Sequence, residues 1–159
     1  MSTSAQIRSA WNSGVWTNGT VTALTTKIYA YDLVASLKSK PEAVSMYYNQ
    51  AINFFTYLVN RTRVTQEIRG ASSSVQRYEF DVTINYYLQK DLTDSAQNYN
   101  NVIDRLETVD GIVISGLGAT WSSTVNHYEM SGILTPTLIE LDDREVWRGG
   151  YQYKAVKQA

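Results

Sequence analysis

Apolar and polar positions alternate most cleanly over residues 75–88, VQRYEFDVTINYYL. Tyr78, Phe80, Val82, Ile84, Tyr86 and Leu88 share one parity, and Arg77, Glu79, Asp81, Thr83 and Asn85 share the other. Period-two alternation of this length predicts a strand with one buried and one wet face. Upstream, AINFFTYLVNRTRVTQEIR is rich in aromatic and β-branched residues, and Gly70 with Ser72, Ser73 and Ser74 is turn material between the two runs. Residues 51–88 therefore predict a long antiparallel β-hairpin.

The helical period appears twice. Over residues 3–12, Thr3 and Gln6 have capping-box spacing, and Ile7, Ala10 and Trp11 fall on one face. Gly14 is the expected end, with Trp16 a buried anchor in the turn that follows and Asn18-Gly19 a turn. The second helix starts at Leu92-Thr93-Asp94-Ser95. Its stripe of Tyr99, Val102, Ile103, Leu106 and Val109 runs to about Asp110, with Gly111 closing it. Residues 25–32 (TTKIYAYD) predict a short strand. Residues 33–50 read as a loop holding a short helix that begins at Pro41. In the last third, Ile112 to Ser115 is a short apolar segment, and 125–130, 138–141 and 146–156 have strand character. Asp142-Asp143-Arg144 is a polar turn, and Gly149-Gly150 marks a bulge or a close backbone approach. The sum is an α+β fold: a mainly antiparallel sheet with a long β-hairpin and two main helices packed on one face.

A length of 159 residues is expected to form one domain with room for a core. A net charge of -1 provides no global positive field, which argues against nucleic-acid binding as the main task. The chain contains no cysteine, so disulfides and thiolate chemistry are excluded. Residues 1–11 do not read as a signal peptide, and no stretch reaches the apolar length of a membrane span. A soluble protein made in a cytoplasm is the expectation. Charged residues are only 18% while there are 12 Tyr and 4 Trp, a makeup closer to that of protein interfaces than of a free surface.

Candidate chemistry is sparse. His127 is the single histidine, and without an acid pair or nucleophile nearby in sequence it reads as structural or surface. Common zinc motifs are absent. Gly116-Leu117-Gly118 begins like a dinucleotide fingerprint, but Trp121 stands where the third glycine belongs, so it reads as a plain loop. Asp142, Asp143 and Glu145, with Arg144 among them, read as a solvated turn. Asp104, Arg105 and Glu107 read as the polar side of the second helix. No catalytic, cofactor-binding or metal-binding residue is assigned.

Length then separates the two halves of the hairpin. Residues 75–88 would span about 45 Å as a strand, against roughly 40 Å for the diameter of a compact chain of this size. Apolar patterning stops at Tyr78 on one strand and near Val59 on the other; beyond, Val64, Ile68 and Val75 are too few for a core. The tip, at about 61–77, is expected to project as an arm or lie flat on the surface. Its charges, Arg61, Arg63, Glu67, Arg69, Arg77 and Glu79, are the candidates for contact with another protein chain.

Nearly the whole chain resembles the tail terminator (tail completion) proteins of long-tailed bacteriophages. The resemblance lies in the N-terminal helix ending in AW, the strand KIYAYD, the hairpin RYEFDVTINYYL, the helix beginning TDSAQNYNNVIDRLE and the closing strand EVWRGGYQYK. It is one of pattern and carries no site motif. It implies an α+β subunit of a homo-oligomeric, hexameric ring in the virion. Such a ring sits on the last ring of tail tube protein, stops polymerisation and offers its other face to the neck or head-completion protein. DNA would pass through the lumen without sequence-specific binding. It also implies no catalytic residues, no cofactor and no membrane partner. Two other readings stand beside it: another head–tail connector, or a small ligand-binding domain or enzyme with a pocket lined by Tyr86, Tyr87, Tyr99 and His127.

Overall fold

The alternation of residues 75–88 becomes the central strand of a sheet. The computed structural model describes residues 4–25, 27–29, 53–69, 73–90, 95–124, 127–141 and 144–158. In chain order these form α1 (Ser4–Trp11), a π-helical turn (Asn12–Trp16), α2 (Gly19–Thr22), β1 (Lys27–Tyr29), β2 (Asn53–Arg69), β3 (Ser73–Gln89), α3 (Ser95–Thr124), β4 (His127–Leu141) and β5 (Arg144–Gln158). The sheet order is β1-β2-β3-β5-β4. Four strands pair antiparallel, and β1 joins β2 in parallel through three residue pairs. The fold is α+β, as the pattern predicts.

Tyr78, Phe80, Val82, Ile84 and Tyr86 are all buried on the face that receives the helices. Phe55, Tyr57 and Val59 from β2 and Tyr153 and Ala155 from β5 extend that face. From the helical side come Ile7 and Trp11, then Val102, Leu106, Val109 and Val113. Aromatic rings hold the N-terminal segment down. Trp16 lies 5.1 Å from Tyr57 and 5.8 Å from Phe55, and Trp11 lies 5.3 Å from Tyr153. Buried tyrosine hydroxyls find partners, as they must: Tyr57 donates to Asn12 Oδ1, and Tyr153 donates to Asp110 Oδ1 at 2.6 Å.

Several boundaries differ from expectation. Gly14 does not end the first helix; the chain continues as a π-helical turn that delivers Val15 and Trp16 into the core. Asn18 caps α2, its side chain accepting from Thr20 N at 2.9 Å. The second helix does not close at Gly111. It is 30 residues long and takes in Ile112 to Ser115, expected as a separate apolar segment, and Gly116-Leu117-Gly118, expected as a loop. Burial of Val113, one turn beyond Val109, continues the apolar stripe and outweighs a glycine cost of about 1 kcal/mol. The segments 125–130 and 138–141 belong to one 15-residue strand, β4. Pro136 is tolerated there because β4 is the last strand in the sheet order and needs hydrogen bonds on one side only. Its register shifts between Leu134 and Thr137, around the proline. The segment 33–50, the capping residue Thr3 and the turn residues Asp142 and Asp143 lie outside the described residues.

Candidate functional site

Both hairpin strands are 17 residues long, about 55 Å at the usual rise. Pairing runs from Asn53↔Leu88 to Arg69↔Ser73, with a register shift between Arg61 and Arg63 that leaves Thr62 as the extra residue. Such a bulge sharpens the local twist. On its other side β3 stays paired with β5 as far as Arg77↔Gln158. Among the described residues, the part paired only between β2 and β3 begins at Gln66↔Gln76 and holds four pairs, Gln66↔Gln76, Glu67↔Val75, Ile68↔Ser74 and Arg69↔Ser73. Residues 60–65 of β2 are all exposed, Val64 among them.

The candidate charges divide. The Arg61 guanidinium lies 5.8 Å from the ring centroid of Tyr78, and Arg63 is exposed across from Glu79. Arg77 donates to Glu79 Oε1 at 3.1 Å, and Lys154 Nζ lies 3.6 Å from the same oxygen. Glu67 and Arg69 occupy pair positions in the ribbon, opposite Val75 and Ser73. Glu79 is not on a wet face, because only 7% of it is exposed. Burial pushes its carboxyl up, but the Arg77 hydrogen bond and the Lys154, Arg77 and Arg63 charges together hold it below the usual carboxylate range. Next along the strand, Asp81 accepts from Gln152 Nε2 at 3.2 Å. Lys154 and Gln152 come from β5, which pairing alone brings beside β3; no spacing in the sequence marks them.

The pocket expected between Tyr86, Tyr87, Tyr99 and His127 does not form around both central tyrosines. Consecutive strand residues face opposite sides of the sheet. Tyr86 points into the helix-covered core, where it donates to Asn53 Oδ1 and receives a hydrogen bond from Arg105. Tyr87 packs on the other side against Phe54, ring centroids 5.1 Å apart. Burial raises the Tyr86 hydroxyl pKa, and Arg105 pulls it partly back. Arg105 is thus a core anchor, which its place on the polar side of the helix stripe concealed. Tyr99 meets Trp147 edge-on at 5.4 Å, and His127 pairs with Val156 across β4 and β5.

From the acidic segment near 142–145, Glu145 is bonded to Lys90 at 2.9 Å. Among the described residues no three His, Cys, Asp or Glu cluster as metal ligands, and no helix is long and apolar enough to cross a membrane. A shallow, open depression of about 200 Å³ lies over Gly132 and Gly150, bordered by Thr83, Asn85, Leu134 and Gln152. Exposed large apolar side chains are concentrated at the ends of the sheet: Val64 on β2, and Ile133, Leu134 and Leu138 on β4. Ile133-Leu134, read as part of the span between two short strands, is the sequence signal that could have marked this surface. No protein-family model matches the chain, and no curated protein matches it.

Proposed function

We propose that this chain is a structural virion protein: a ring-forming tail terminator that caps a phage tail tube, stops its polymerisation and provides the surface joining it to the head or neck. The observation that carries this reading is the hairpin. Its two strands run 17 residues each, and the side chains of 60–65 on β2 are exposed. A ribbon without a core of its own gains most by docking on another chain. The sequence resemblance, resting on the hairpin, the helix after it and the closing strand, supports the same assignment.

In this reading the subunit acts by shape and contact, with no bond made or broken. The helix-covered face stabilises the subunit, and the tip with Arg61, Arg63, Glu67, Arg69 and Arg77 meets a neighbouring subunit or the tube. Rings should be seen by native mass spectrometry or negative-stain imaging, either alone or on addition of tail tubes, and tubes grown in the presence of the protein should stop short. A strict monomer that ignores tubes and leaves their length unchanged would refute the proposal.

A further inference from the structure

The sheet has two unlike ends. At one, β4 runs 15 residues with no strand beyond it among the described residues. At the other, β1 covers only Phe54, Phe55 and Thr56, so the rest of β2 has no strand on its outer side among the described residues. An open edge presents unpaired backbone N–H and C=O groups, and natural proteins usually guard it with lysines or cover it. β4 carries no lysine or arginine; its charges are Glu129 and Glu140, and its guard is Pro136, which lacks an N–H and limits outward pairing to the residues before it. The exposed stretch of β2, 60–65, carries Arg61 and Arg63 and no acid.

Apolar exposure coincides with these edges. Of the five large apolar side chains exposed among the described residues, four lie on them: Val64 at 41% on β2, and Ile133 at 68%, Leu134 at 38% and Leu138 at 42% on β4. Two copies of β4 laid together would oppose carboxylates, and two copies of β2 would oppose guanidiniums. Only the unlike pairing joins opposite charges.

We propose that the β4 edge of one subunit, over the residues before Pro136, adds to the open edge of β2 in a second copy of this chain, joining the two sheets head to tail. Such a contact is heterologous, so each subunit keeps one free edge of each kind, and the series closes into a ring or runs on as a filament. The edge contact stands on the sheet alone; its closure into a ring rests on the tail-terminator reading.

Complementation between two variants tests it. Val64→Glu places an acid on the β2 edge, and Ile133→Lys places a base on the β4 edge. Each should keep the circular dichroism spectrum and melting behaviour of the wild type, since both positions are exposed. Arg61→Glu and Leu134→Lys are the substitutes if either misfolds. The wild type should self-associate in sedimentation and native mass spectrometry, and each variant alone should do so roughly a hundredfold more weakly. Mixed in equal amounts, the two variants should form a one-to-one dimer, because each retains the edge the other lacks. A β2 variant that associates as well as the wild type, no dimer on mixing, or a monomeric wild type would each overturn the proposal. Oligomers that leave tail tubes unaffected would refute the terminator reading and leave the edge contact standing; tube-capping rings that survive both variants would do the reverse.

Discussion

Gly149 and Gly150 show how closely single positions are determined. A Cβ on Gly149 would lie 2.9 Å from Val102 Cγ1, 3.1 Å from Leu106 Cδ1 and 3.3 Å from Pro136 Cγ, where α3 presses on the sheet. On Gly150 it would enter the contact distance of the Ile84 carbonyl oxygen and lie 2.6 Å from Asn85 Oδ1. Side chains can shift by rotamer changes, but a carbonyl within a paired strand cannot shift without disturbing the β3–β5 ladder. Gly149→Ala should therefore cost about 1–3 kcal/mol, the usual range for overpacking, and Gly150→Ala about 3 kcal/mol or more. Denaturant midpoints of the two variants check the order. Glu79 gives a pH-dependent counterpart. Its folded pKa lies below the ordinary carboxylate value, so ionisation is easier in the folded chain than in the unfolded one. The stability it adds is complete above the unfolded pKa and is lost as pH falls through the lowered folded pKa. Glu79→Gln also leaves Arg77, Lys154 and Arg63 without their shared counter-charge. The variant should be less stable than wild type at neutral pH, and the gap should close in acid; a gap independent of pH would mean that the charge is not what stabilises this face.

At the scale of elements, what was legible in the sequence is what periodicity controls. The alternation from Tyr78 to Tyr86 places five side chains in the core because each faces the same helices. The stripe Val102, Leu106 and Val109 does the same for α3. What pattern does not reach is where an element stops when punctuation residues oppose packing. Gly111, Gly116 and Gly118 read as breaks, yet α3 continues through them, and the segments 125–130 and 138–141, which read as separate strands, meet in β4, which is continuous through Gly132 and Pro136. The neighbour of a strand is equally hidden: Lys154 and Gln152 reach Glu79 and Asp81 only because β5 lies beside β3. The polar parity of β3 is not uniformly wet either, since Glu79 and Tyr87 are both buried on it. Gly111 offers a direct check on the helix. It is exposed, and a Cβ there would touch nothing within 4 Å. As an interior helix position, Gly111→Ala should stabilise the protein by about 0.5–1 kcal/mol. A helix ending there in a left-handed cap would instead be destabilised by alanine, so the sign of the change in melting temperature distinguishes the two.

For the whole molecule, the question is whether the hairpin tip serves the fold or the assembly. Every β3–β5 pair lies at or after Arg77 on β3, and the strand residues of the hairpin that build the helix-covered core lie at or after Tyr78 on β3 and at or before Val59 on β2. The ribbon beyond Gln66↔Gln76 therefore contributes no strand contact to β5, β4 or β1. Register decides how it can be removed. A two-residue turn makes its flanking residues face each other, and Gln66 and Gln76 already do. Asn-Gly in place of residues 67–75 thus preserves the native pairing, whereas a cut one residue earlier on β2 would shift the register and turn the side chains of one strand to the wrong face. The shortened protein should melt with the wild type to within about 1 kcal/mol, since loop closure changes little and the four pairs removed or flanking the cut support no other strand among the described residues. Its effect on tail tubes should nevertheless be lost or sharply reduced, measured as the tube length distribution when tubes polymerise with and without it. Full capping by the shortened protein would mean that the tip makes no contact on which assembly depends. Unfolding on the same change would mean that the tip covers its own subunit, and the distinction between a base that folds the chain and a tip that meets a neighbour would have to be abandoned.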